Sequence, residues 1–129
     1  MQDIVSDFNS TLTSLLTNLA TVCPNSIIGT NINTIVKTVN SKQYPTKFIE
    51  MFCIKVLKYK EEIDSGNDEF FLKKDFKTDM DGGDVSVDIV PSIKALWKDL
   101  KEENRKIAVY TLQILCALSQ EYFVYTFSH

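Results

Sequence analysis

The chain has 129 residues, of which 44% are hydrophobic and 24% are charged, and its formal net charge is −3. These values are ordinary for one globular domain and argue against global disorder. The slight acidity disfavours nucleic-acid binding driven by overall charge, because proteins of that class carry a basic domain or a basic face.

The first predicted element is an amphipathic helix that ends at Cys23 and Pro24. Its apolar residues recur at spacings of three and four, which place them on one helix face; they are Val5, Phe8, Leu12, Leu15, Leu19 and Val22. Pro24 ends the pattern, since the residue before a proline is disfavoured in the helical region. Asp3 and Asp7 stand where a secretory signal carries positive charge, so we expect no signal peptide.

A second helix is predicted from about Asn25 to Val39. One apolar stripe supports it, consisting of Ile28, Ile32, Ile35, Val36 and Val39. The β-branched residues and Gly29 weaken the helical pattern, so a strand remains an alternative in this segment.

The third predicted helix runs from about Pro45 to Ser65. Proline is favourable in the first turn of a helix, and Phe48, Phe52 and Val56 follow at spacings of four. Gly66 is a natural stop after the last turn.

Residues 68–76 read DEFFLKKDF and predict a short aromatic-basic element, which residues 77–86 follow as an acidic loop around Gly82 and Gly83. Lys73, Lys74 and Lys77 alternate with phenylalanines, a pattern that can bind single-stranded nucleic acid. Neighbouring carboxylates neutralise this patch, so nucleic-acid binding is an alternative that the charge balance disfavours. The loop lacks the ligand spacing of an EF-hand calcium site.

Residues 87–129 predict a C-terminal helical hairpin. Its first helix carries Val90, Ile93, Leu96, Trp97 and Leu100, and its second helix runs from about Glu102 to Phe127. Apolar residues surround most of the second helix, which predicts a central, buried position; they are Ile107, Tyr110, Leu112, Ile114, Leu115 and Leu118. The nearly apolar stretch from Ile107 to Leu118 is too short to cross a bilayer, so we expect no membrane association.

The sequence shows no motif for catalysis, a metal or a cofactor. The one histidine, His129, is the last residue, and Cys23, Cys53 and Cys116 have apolar neighbours, where a thiolate is disfavoured. These widely spaced residues do not match a zinc site. We therefore expect a protein that is not an enzyme, uses no cofactor and has no small-molecule substrate.

Aromatic residues are concentrated near the C-terminus. Tyr122, Tyr125 and Phe127 place rings on several sides of the last helix, and aromatic side chains with polar tips are enriched at protein interfaces. We therefore name these three residues as interface candidates for another protein or a second copy of the chain.

Two segments resemble small helical proteins of giant nucleocytoplasmic DNA viruses. Residues 48–76 carry F-I-x-x-F, Y-K-E-E-I and D-E-F-F-L-K-K-D-F, and residues 93–119 carry I-K-A-L-W-K-D-L-K-E-E-N-R-K before Y-T-L-Q-I-L-C-A-L-S. Those proteins commonly have serine as a helix N-cap where this chain has Lys101. The resemblance implies a host-cell cytoplasmic setting, such as a virus factory or the virion, and supplies no catalytic residue.

Together these patterns predict an all-α fold: one domain over residues 1–129, built as an orthogonal bundle of about five helices with a buried C-terminal helix. The N-terminal helices occupy residues 1–76, the acidic loop residues 77–86, and the hairpin residues 87–129. The expected function is non-enzymatic protein binding by an adaptor, an assembly factor or a minor virion component. A Bcl-2-like bundle that binds an amphipathic helix in a groove is a further alternative.

Overall fold

The computed structural model describes residues 2–66, 93 and 95–127, and every regular element in this part of the chain is helical. The predicted all-α fold class is confirmed for these residues. The aromatic-basic element, the acidic loop and the start of the C-terminal hairpin lie outside the described residues.

Helix α1 (Gln2–Val22) ends where the proline pattern predicts, immediately before Cys23 and Pro24. Its core-facing side chains are almost wholly buried and include Phe8, Leu12, Leu15, Leu16 and Leu19. Val22, the last residue of the predicted stripe, is partly exposed instead. Helix α1 depends on this packing for its stability, because its polar face is rich in serine, threonine and asparagine, which are mediocre helix formers.

The segment predicted as helix or strand forms two short helices, α2 (Ile27–Thr30) and α3 (Ile32–Val39). Ser26 caps α2, since its Oγ accepts a hydrogen bond of 3.0 Å from the backbone N–H of Gly29. Gly29 is required for a close approach: a Cβ there would lie 2.5 Å from the carbonyl oxygens of Cys23 and Pro24. The glycine therefore permits the tight turn between α1 and α2.

The predicted third helix has the expected extent but a different winding. It begins as α4 (Lys47–Met51), continues as a π-helical turn (Phe52–Val56) and a 3₁₀ turn (Leu57–Tyr59), and ends as α5 (Lys60–Asp64). A π turn holds more residues than an α turn and a 3₁₀ turn holds fewer, so the two partly compensate. The buried residues stay on one side as a result; they are Phe48, Phe52, Val56 and Ile63.

Three further predicted helix boundaries are confirmed, the stop at Gly66 and both ends of the C-terminal helix. Gly66 follows α5 with φ of 76°, a left-handed conformation that favours glycine. Helix α6 (Glu102–Phe127) has the predicted bounds. The corner before α6 is fixed by Arg105, whose Nε donates to the carbonyl oxygen of Trp97 at 3.1 Å.

The core lies between α1, the α4–α5 segment and one side of α6. The rings of Phe8 and Phe52 meet edge to face with centroids 5.0 Å apart. Cys53 Sγ donates to the carbonyl oxygen of Ser119 at 3.2 Å, which ties the π-helical turn to α6. Trp97 and Leu115, both predicted core residues, are fully buried.

The predicted central position of the C-terminal helix is not confirmed. Ala108, Leu112 and Leu115 are buried, but Ile107 is 51% exposed and Tyr110 is 64% exposed. The assignment of Ile107 and Tyr110 to the buried surface is therefore wrong. The physical reason is geometric: α6 is apolar nearly all round, whereas the described elements pack mainly on one side of it.

Candidate protein-binding surface on the C-terminal helix

An apolar stripe runs along the side of α6 that faces away from the core. It consists of Ile107, Tyr110, Ile114, Ala117, Glu121 and Val124, and is named the outer stripe here. The members follow one another at alternating spacings of three and four, the seven-residue repeat that forms a helix–helix seam. Val124 is 55% exposed, Ala117 and Glu121 are exposed, and Ile114 is half-buried.

Glu121 is the one charged residue between Ile107 and Phe127 in the sequence. The outer stripe is therefore apolar except for this carboxylate and the hydroxyl of Tyr110. Scattered single apolar residues on a surface need no explanation, but a row that follows one face of a long helix is typical of an interaction site.

The three aromatic residues named from the sequence occupy different positions. Tyr122 is half-buried and packs against the core. Burial, followed by the nearby carboxylate of Glu50, raises the pKa of its phenol, while hydrogen bonds with Thr126 and Thr46 oppose that shift. Tyr122 therefore anchors α6 to the start of α4.

Tyr125 and Phe127 are exposed, but on different sides of α6. Tyr125 follows Glu121 by four residues and adjoins the outer stripe. Phe127 follows Phe123 by four residues, and their ring centroids are 4.7 Å apart. The structure thus places Tyr125 with the outer stripe and Phe127 in a separate aromatic pair at the helix end.

A shallow cavity of about 650 Å³ borders the outer stripe near the C-terminal end of α6. Its lining includes Ile4 of α1, Lys60 of α5, and several residues of α6: Ala117, Gln120, Glu121, Val124 and Tyr125. Lys60 forms an ion pair with Asp64, one helical turn away. Ile4 and Val124 both line this cavity, so the first turns of α1 lie beside the last turns of α6.

A second cavity, of about 800 Å³, lies between the polar face of α1 and the connection from α3 to α4. Serine, threonine and asparagine side chains line most of it, and Lys42 is its one charged lining residue among those described. Asn9 Nδ2 donates to the carbonyl oxygen of Pro45 at 2.8 Å and closes one wall. This lining contains no pair of titratable groups for acid–base catalysis.

The described thiols are poorly suited to nucleophilic chemistry. Burial raises the pKa of Cys116 from 9.0 to about 12, and burial also raises the pKa of Cys53. Within the described ranges, no three histidine, cysteine, aspartate or glutamate side chains group closely enough to hold a metal ion. The absence of a cofactor and of enzyme activity stays a prediction for the whole chain.

The alternative nucleic-acid site cannot be placed in the fold. Lys73, Lys74 and Lys77 lie outside the described residues.

Helix α6 is long and apolar enough to cross a membrane by length and composition. Its best 18-residue window has a mean hydropathy of 1.3, and 33% of that window is buried within the protein. The apolar stretch thus extends beyond Leu118, and length alone does not exclude a span. The buried face and the hydrogen bond from Cys53 to Ser119 are features of a helix that packs in a protein core.

Sequence reasoning missed Ile107, Tyr110 and Val124 as surface residues. It assigned the first two to the core because every side of α6 carries apolar residues. The seven-residue spacing does not separate the two faces, since the buried residues Ala108, Leu112, Leu115 and Ser119 repeat at the same spacings. The signal in the sequence is the lone glutamate, Glu121, which marks the exposed side.

No family model, no curated protein and no solved structure matches this chain. The function of the outer stripe is therefore argued from its own geometry and chemistry.

Proposed function

We propose that this chain is a non-enzymatic protein-binding module whose contact surface is the outer stripe of α6 together with Tyr125. The observation that carries the proposal is the exposure of Ile107, Tyr110 and Val124 along one face of a helix whose opposite face is buried. A partner with an apolar helix face would cover this row and exclude water from it.

Covering the outer stripe removes apolar side chains from water and so contributes to binding. Complete burial of a large apolar side chain stabilises by about 1.5–3 kcal/mol, and Ile107, Tyr110 and Val124 are each about half exposed. Their burial in a complex would contribute about 3 kcal/mol before the cost of association. Because association itself costs more than this amount, other contacts of the interface must also contribute, and we expect reversible rather than permanent binding.

The proposal also agrees with two expectations from the sequence, the central position of the C-terminal helix and a role in protein binding. In the complex, α6 would become the buried central helix of an orthogonal helical arrangement. An adaptor, an assembly factor or a minor virion component in a host-cell cytoplasm would use such a surface. Neither nucleic-acid binding nor a Bcl-2-like groove has a supporting observation among the described residues.

Affinity capture with matched surface variants tests the proposal. The tagged wild-type chain and the Val124→Glu variant are each used to recover proteins from cells that express the chain. Ile54→Glu is the control, because Ile54 is 71% exposed and lies on the π-helical turn, outside the outer stripe. Circular dichroism verifies that all three proteins are folded.

We expect Val124→Glu to lose the proteins that both the wild type and Ile54→Glu recover. Recovery of the same proteins at the same yield by all three chains, or of no specific protein at mild salt, would overturn the proposed function.

A further inference from the structure

We infer that the outer stripe binds the outer stripe of a second copy of this chain, with the two α6 helices antiparallel about a two-fold axis. This inference rests on the proposed function and names its partner. It is carried by the self-complementarity of the six residues that form the stripe.

An antiparallel register centred midway between residues 115 and 116 pairs every member of the outer stripe with another member. Ile107 faces Val124 of the second copy, Tyr110 faces Glu121, and Ile114 faces Ala117. The seven-residue spacing makes these three pairings occur twice, once on each side of the axis. No member of the stripe is left facing an unrelated residue.

The pairs match in size and in polarity. A large side chain, Ile114, faces a small one, Ala117, at the centre, which permits close approach of the two helices. The hydroxyl of Tyr110 faces the carboxylate of Glu121, so the one charged group of the stripe receives a hydrogen-bond donor. Both polar groups of the stripe are therefore satisfied by each other across the interface.

Charge complementarity selects the antiparallel arrangement over the parallel one. In a parallel pair each residue of the seam faces its own copy, so Glu121 would face a second Glu121 and the two carboxylates would repel. Gln113 and Gln120 flank the centre and bring no charge.

The contact length sets the expected strength. The seam from Ile107 to Val124 extends over about 27 Å of helix, which is long enough for a helix pair but gives an interface at the small end of stable complexes. We therefore expect a weak dimer that forms in concentrated protein and dissociates on dilution.

Sedimentation velocity over about a hundredfold range of concentration tests the dimer through its charge pairing. Tyr110→Glu places a carboxylate opposite Glu121 and should weaken the dimer by about tenfold or more, whereas Tyr110→Lys places an ammonium group there and should retain it. In a parallel pair both variants would create like-charge contacts and both would dissociate. Ile54→Glu is the control and should dimerise as the wild type does.

Disulfide trapping tests the register independently. The background carries Cys23→Ser and Cys53→Ser, and serine at position 53 keeps a donor for the carbonyl oxygen of Ser119. A mixture of the Ile107→Cys and Val124→Cys chains should form a mixed disulfide-linked dimer under mild oxidation. Either chain alone should stay uncrosslinked, because its two cysteines would be about 25 Å apart along the seam.

A wild-type monomer at every concentration would overturn this inference. If Val124→Glu still loses its captured partner while the wild type is monomeric, the partner is a different protein and the proposed function survives. If the monomeric chain co-floats with anionic lipid vesicles and binds them with α6, the outer stripe contacts a membrane and both proposals fail. Self-linked Val124→Cys dimers would show a parallel pair and overturn the register.

Discussion

Replacement of Gly29 by alanine should destabilise this fold, although the same exchange inside a helix ordinarily stabilises by about 1 kcal/mol. The added Cβ would lie 2.5 Å from the carbonyl oxygen of Cys23 and 2.5 Å from that of Pro24. Both atoms belong to the backbone, so the turn between α1 and α2 must shift. Such overpacking costs about 1–3 kcal/mol, and two backbone contacts of 2.5 Å place the cost in the upper part of that range. After the gain of about 1 kcal/mol from helix propensity, we expect a net loss of about 1–2 kcal/mol.

Urea and thermal unfolding, followed by far-ultraviolet circular dichroism, measure this loss. Gly66 supplies the matched control, since its φ is 76° and a Cβ there would meet no atom within 4 Å. Gly66→Ala should cost about 1 kcal/mol through left-handed strain, and Gly66→Asn should cost less. Gly29→Asn should cost at least as much as Gly29→Ala, because contact and not φ is the cause. A Gly29→Ala protein as stable as the wild type would refute the reasoning.

Further predictions concern the core and the links between helices. Trp97→Ala should lower the free energy of unfolding by about 3–5 kcal/mol and Leu115→Ala by about 2–5 kcal/mol, since both side chains are fully buried; urea unfolding would contradict this if either loss were below about 1 kcal/mol. Gln113→Ala should cost about 1 kcal/mol in the same assay, because Gln113 Nε2 donates to the carbonyl oxygen of Ile63 at 2.9 Å. Burial raises the pKa of Cys116 to about 12, so the neutral thiol stabilises the fold below pH 9.0 and this contribution is lost as the pH rises from 9.0 to 12. The free energy of unfolding of Cys116→Ala should therefore fall less steeply with pH over that range than that of the wild type. An equally steep fall would contradict the assignment.

The sequence predicted the features that depend on local chemistry and on simple periodicity. Pro24 ends α1, because proline has a restricted backbone conformation. Gly66 ends the segment from α4 to α5, because glycine readily adopts the left-handed conformation found there. The bounds of α6 follow from an uninterrupted run of helix-compatible residues after Glu102. The burial of Phe8, Leu12, Trp97 and Leu115 follows from the spacing of apolar residues.

Features that depend on contacts between elements could not be predicted in this way. Gly29 weakened the helix prediction in the sequence, yet the structure places it at a backbone contact that no sequence pattern reveals. The π-helical and 3₁₀ turns between Phe52 and Tyr59 leave the buried residues of α4 and α5 on the same core, a correspondence that periodicity alone does not predict. In α6, apolar residues occur on all sides, so the sequence does not show which side contacts α1. The pattern therefore predicts that Ile107 and Tyr110 are buried, which is wrong.

The most direct test of the central claim is the rate at which a thiol-reactive maleimide labels Val124→Cys in dilute and in concentrated protein. The background again carries Cys23→Ser and Cys53→Ser, and Ile54→Cys serves as the exposed reference. We expect Val124→Cys to react as fast as Ile54→Cys when dilute and several-fold more slowly when concentrated. Slow labelling in dilute protein would mean that the monomer itself covers the outer stripe, and fast labelling at every concentration would mean that no second copy covers it.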